Sequence, residues 1–244
     1  MTKHLSVLAL FAGSIFLPLV LILFLMTAVE IGGFYLFGFH RAWSFGQSEG
    51  DVFLLICFLA AFILLSVFLI LPGSKEGTGY TLMRLKISEE AAFLWHAVIC
   101  ALAYLALWAA EALILYLLSQ SYAAGSYYTE GPQGIFLAFY RRGFFFSILP
   151  LDAAALWVRN ILFVTAAGLA VACFSLFLRH RRKSFLSLLT MTLIVGFFRT
   201  TPEYLTVNAA FSTVISILCI GLLLRQALKT AHGGKGGSDD EKTQ

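Results

Sequence analysis

The run Val52–Leu71, VFLLICFLAAFILLSVFLIL, decides the fold. It holds no charged residue, no proline and a single hydroxyl, Ser66. Apolar side chains occupy every face of the helix these residues would form, and such a helix has no side to offer to water. At 1.5 Å of rise per residue, about 20 residues cross the roughly 30 Å of a bilayer's hydrocarbon core. The run therefore reads as a transmembrane helix.

Working outward, five further apolar stretches flank it: Val7–Phe37, Ala91–Leu118, Leu156–Leu178, Phe185–Phe198 and Val207–Leu224. Only Phe185–Phe198 is shorter than a full crossing. The chain is 60% hydrophobic and 12% charged, against roughly 45–50% and 25% in soluble domains. The expected fold class is all-α: a polytopic membrane protein of six transmembrane helices, with a short cytoplasmic helix and an outer interfacial segment. Residues 1–230 read as one transmembrane domain and 231–244 as a disordered, Gly-rich, charged tail. The first span reads as retained, because its apolar run exceeds the roughly 7–15 residues of a signal peptide.

The four cysteines, Cys57, Cys100, Cys173 and Cys219, fall in four different spans. None has CxxC or His-adjacent spacing, so they read as packing residues, with no metal site and no disulfide framework. The 17 Lys and Arg residues divide unevenly if the amino terminus is cytoplasmic and the spans alternate. Twelve, from Lys3 to Lys242, then lie inside, and Arg41, Arg141, Arg142, Arg159 and Arg199 lie outside. The positive-inside rule favours that orientation in the cell membrane, with both termini cytoplasmic. Arg179–Ser184, RHRRKS, is its strongest local signal and reads as a topology anchor, not a nucleic-acid patch.

Pro18 lies inside the first span, where a kink is expected. Gly32–Gly50 is an aromatic-rich turn suited to the bilayer interface. Ser88, followed by Glu89 and Glu90, is a helix start: a side-chain cap with carboxylates at the positive end of the dipole. Between the third and fourth spans, residues 119–134 are polar and residues 135–153, IFLAFYRRGFFFSILPLDA, are apolar and aromatic. The latter are expected to lie along or dip into the outer interface, with Arg141 and Arg142 at headgroup level.

Few residues carry potential chemistry. Glu111 sits within an apolar span, where a carboxylate costs a few kcal/mol. It must face a partner or a cavity, or carry a proton. Arg159 and Arg199, at outer span ends, are the candidate partners, Arg159 first; Glu30 lies at similar depth. This intramembrane polar set reads either as a translocation path or as a structural ion pair. His96 reads as an interfacial anchor. No nucleophile motif, metal-binding His pair or phosphate-binding glycine loop with a lysine is present. Ala12-Gly13-Ser14 lacks the pattern of an intramembrane serine protease. Leu94 stands where one Glu-Glu membrane-protease family needs arginine. The chain is expected not to be an enzyme.

Gly77–Trp95, GTGYTLMRLKISEEAAFLW, joins the second and third spans. Its centre is a short amphipathic turn with Leu82 and Leu85 on one face and Arg84 and Lys86 between and beyond. The step through Leu82, Leu85, Ile87 and Ser88 into the next span resembles the coupling helix of permease subunits of ATP-binding-cassette exporters, six-helix proteins of similar length. The resemblance implies that Tyr80, Leu82, Arg84, Leu85 and Lys86 dock on a separate cytoplasmic ATPase, which holds the ATP and magnesium. It also implies a second permease subunit as partner, and no cofactor on this chain. Two features are expected to depart from the family pattern: there is almost no amino-terminal elbow helix, and the large outer insertion lies between the third and fourth spans instead of before the sixth. Two other readings stand beside it. One is the substrate-capture subunit of a vitamin-type importer. The other is a lipid-modifying enzyme with its site near Glu30, Glu111 and Arg159.

Overall fold

A computed structural model of the chain describes residues 2–36, 49–74, 88–124, 143–150, 154–182, 184–198 and 205–233. The described residues are helical apart from a few that border the helices, with no strand: α1 Thr2–Leu36, α2 Glu49–Ser74, α3 Glu89–Ala124, α4 Gly143–Ile148, α5 Ala154–Arg179, α6 Phe185–Phe198 and α7 Leu205–Gly233. Five of these are long and apolar enough to cross a membrane: α1, α2, α3, α5 and α7. The expected span positions coincide with helices. The sixth, α6, has 14 residues, about 21 Å at the usual rise.

Contacts fix the direction of each helix. At one end of the bundle, Trp95 Nε1 donates to His4 Nδ1 at 3.2 Å, so α1 and α3 start side by side. His96 Nε2 donates to the Leu69 carbonyl at 3.1 Å, placing the end of α2 there too. Phe93 and Ala97 of α3 share a core with Leu176 and Phe177 of α5 and with Leu223 and Ala227 of α7. At the other end, Phe146, Leu156 and Ala209 pack together, joining α4 to the starts of α5 and α7. Thus α5 and α7 run parallel, and α6 must carry the chain back between them. The start of α1 and the end of α7 lie at the same end.

The bundle is inverted relative to a water-soluble protein. Phe16, Leu17, Phe24, Phe185 and Val207 all point outward. In water such a face would drive aggregation; in hydrocarbon it is the solvated surface. Interior packing therefore relies on close approach between helices, which favours small residues. α5 is the central element and packs against α2, α3, α6 and α7. Its buried set includes Ala166, Ala167, Gly168, Ala170, Ala172 and Ser175. A Cβ added at Gly168 would stand 2.6 Å from the backbone nitrogen of Ala101 in α3, so backbone meets backbone at this crossing.

Local chemistry sets the helix ends. The Ala91 amide donates to Ser88 Oγ at 3.3 Å, the cap expected at α3. At the end of α5 the Arg182 amide donates to the Phe177 carbonyl at 2.9 Å and the Arg181 amide to the Leu178 carbonyl at 3.0 Å. This is a Schellman closure, with Arg181 left-handed at φ 54°, a position that usually takes glycine. Arg181→Gly is therefore expected to raise the melting temperature of the purified protein by a degree or so, equivalent to about 0.5–1 kcal/mol. Nearby, Glu89 at the start of α3 meets Arg179 at 3.5 Å and accepts from His180 Nε2 at 3.0 Å, linking two helix ends whose dipoles favour those charges.

Two expectations change, and a third is narrowed. Of the segment expected to lie along or dip into the outer interface, α4 is packed inside the bundle: Phe144, Phe145, Phe146, Ser147 and Ile148 are buried. Phe144 packs on Phe58 of α2, 5.9 Å between ring centroids. Three consecutive phenylalanines make the turn apolar all round, so it inserts. His96 is not an interfacial anchor. It is buried and stacked on Phe11 at 4.7 Å, because its one donor finds the Leu69 carbonyl. The helix of α7 continues past position 230 to Gly233, since Thr230 and Ala231 still pack inside.

Candidate functional site

One set of buried polar groups, Glu30, Glu111, Ser147, Arg159 and Asn160, lies at the end of the bundle opposite the start of α1 and the end of α7. On α3, the Trp108 indole donates to the Ile148 carbonyl of α4 at 3.0 Å and meets Trp157 of α5 edge-on at 5.4 Å. Three residues on, about 60° round the helix, stands Glu111. It faces Glu30 of α1, carboxyl to carboxyl within hydrogen-bonding reach. Both side chains are 0% exposed. No donor among the described residues reaches any of their four carboxyl oxygens. Cys57 of α2 is their titratable neighbour.

Arg159, also buried, goes elsewhere. Its Nη2 donates to the Ser147 carbonyl at 3.2 Å and to Asn160 Oδ1 at 2.8 Å, and its Nε donates to the same Asn160 oxygen at 3.1 Å. Asn160 Nδ2 donates to the Ser147 carbonyl at 2.8 Å. The guanidinium lies 5.4 Å from the centre of the Phe163 ring. The expected Glu111–Arg159 ion pair is thus corrected. Arg159 faces the carboxyl end of α4, where helix carbonyls lack intrahelical donors and the dipole attracts a cation. Glu111 points instead toward α1. The arginine secures an inserted helix, and the two glutamates form a separate site.

Arg199 and the docking set Tyr80, Leu82, Arg84, Leu85 and Lys86 lie outside the described residues. Sequence reasoning passed over Asn160, Ser147 and Trp108. The adjacent polar pair Arg159-Asn160 at the head of an apolar span was the available signal, since two strong donors there need a buried acceptor.

Toward the opposite end, a groove of about 410 Å³ opens between α2, α5 and α6, lined by Phe62, Ser66, Ile70, Phe174, Met191 and Thr192 among others. Its walls are apolar apart from a few hydroxyls. Ser66 Oγ lies 2.7 Å from Tyr104 Oη, which ties this wall to α3. Among the described residues no group of three or more metal-ligating side chains forms, and the four cysteines are unpaired. Comparison of the chain with protein-family models, with characterised proteins and with solved structures gives no match.

Proposed function

We propose that the chain is the membrane-spanning, non-catalytic subunit of a transporter, powered by a separate ATPase subunit that docks at Tyr80–Lys86. The observation that carries the transport half is the pair of fully buried carboxyls, Glu30 and Glu111, inside an apolar bundle with no basic partner among the described residues. Ionisable groups at such depth are costly and mark substrate or ion pathways. The ATPase half is supported by the amphipathic turn in Gly77–Trp95 and by the lack of any phosphate-binding loop in this chain.

In this reading all six apolar helices cross the bilayer, α6 included, and the end holding both termini is cytoplasmic. The parallel course of α5 and α7 supports the crossing of α6, and the excess of Lys and Arg supports the orientation. The Glu89–Arg179–His180 contact then sits where movement of the 75–87 connection would reach α3 and α5 together. A second permease copy covers part of the outward apolar surface.

Purification of the chain from its native membrane should bring down an ATPase. Leu85→Asp should lower substrate-stimulated ATP hydrolysis of that complex about tenfold while leaving the membrane part folded. A chain that purifies alone, or stimulation unchanged by the substitution, would remove the ATPase assignment.

A further inference from the structure

The Glu30–Glu111 contact has a chemical requirement of its own. α1 and α3 run parallel and are already in contact at Phe11–His96. Roughly five turns further along α1 and four along α3, the two carboxyls meet. Ionised carboxylates are acceptors only. Facing each other in a medium of low dielectric, two anions repel strongly, and stabilising both would require cations or donors. Neither is present among the described residues. From α1 the site has Glu30, from α3 Glu111, and from α2 Cys57. From α5 the charged residue at this end is Arg159, turned to Ser147 and Asn160. The described part of α4 has no titratable side chain, and Arg225 and Lys229 of α7 lie toward the other end.

We propose that Glu30 and Glu111 form a proton-binding site: the pair holds one proton between its carboxyls, and that proton joins α1 to α3. A metal cation fits the donor set poorly. Magnesium takes about six oxygens and calcium 6–8, whereas two carboxyls supply at most four, and among the described residues no third acidic side chain joins them. A proton needs only the two. Loading it turns two repelling anions into a hydrogen-bonded acid–carboxylate pair, and losing it pushes the outer halves of α1 and α3 apart. The site therefore couples proton occupancy to the spacing of two spans. It does so whether or not an ATPase partner exists.

The test uses the purified full-length chain in lipid nanodiscs. Infrared difference spectra in H2O and D2O read the C=O stretch of a protonated carboxylic acid at neutral pH. Wild type should show such a deuterium-sensitive band and should lose it at alkaline pH. Glu30→Gln and Glu111→Gln should each abolish it, because the new amide donates to the remaining carboxylate. Melting temperature should fall toward alkaline pH in wild type, and this fall should vanish in the double Gln variant. Absence of the band from wild type at neutral pH overturns the proposal without any variant. A band that survives both single substitutions overturns it equally. Because no ATPase or substrate enters the measurement, its failure is separate from failure of the transport reading.

Discussion

Gly168→Leu should leave little folded protein. The added Cβ alone would lie 2.6 Å from the Ala101 nitrogen and 2.8 Å from its Cα. Neither backbone atom can move without shifting α3. Overpacking in soluble cores costs about 1–3 kcal/mol. Here the whole α3–α5 crossing must open, in a bilayer that offers no hydrophobic force to close it again. We expect the upper end of that range or beyond: aggregated material in size exclusion and no cooperative thermal transition. Gly168→Ala should already lower the melting temperature. Gly196→Ala and Gly221→Ala serve as controls, because nothing lies within 4 Å of a Cβ at either position. They should be neutral or gain a few tenths of a kcal/mol, alanine being the better helix former by about 1 kcal/mol at most. Equal behaviour of all these variants would mean that the close crossing is absent.

Arg159→Leu should be the next most damaging change. It strips the Nη2 and Nε donors from a buried network that includes the Ser147 carbonyl and Asn160. Leaving a buried acceptor without its donor costs about 1–3 kcal/mol, and more than one acceptor is affected here. The local signature should be release of α4: Trp108, now held by the Ile148 carbonyl, should change its fluorescence along with Trp157. Combining Arg159→Leu with Glu111→Gln in the same thermal assay tests how the polar groups are divided. The two sites share no bond, so the losses should add within about 0.5 kcal/mol. Strong non-additivity would restore the direct ion pair between them.

The five long apolar helices were legible in the sequence because hydrocarbon imposes one rule, apolarity over a fixed length, that most residues of a span obey. The Ser88 cap was legible for a similar reason: its chemistry is local. The partners of the buried charges were not. Arg159 and Glu111 lie toward the same end of the bundle, and proximity along its axis made them natural partners. What separates them is azimuth, the direction each points around its helix, and azimuth depends on how helices rotate against neighbours. α4 was hidden by the same gap. Its acceptors are backbone carbonyls, invisible in a reading that matches side chain to side chain. Glu30 and Glu111 sit at similar depth in the sequence, but two acids carry no mark of a pair there, because like charges repel unless a proton joins them.

The length of α6 has a consequence for the surrounding lipid. A 14-residue apolar helix falls about 9 Å short of a typical hydrocarbon core. A bilayer thins, or short spans gather flanking polar residues, to relieve such mismatch. The groove between α2, α5 and α6 opens along this same short helix. Lipid tails entering it would come from the annulus where the leaflets are most compressed. With α6 crossing the bilayer as proposed, membrane thickness would become a variable for this protein: thinner bilayers would relieve the mismatch beside the groove, and thicker ones would increase it.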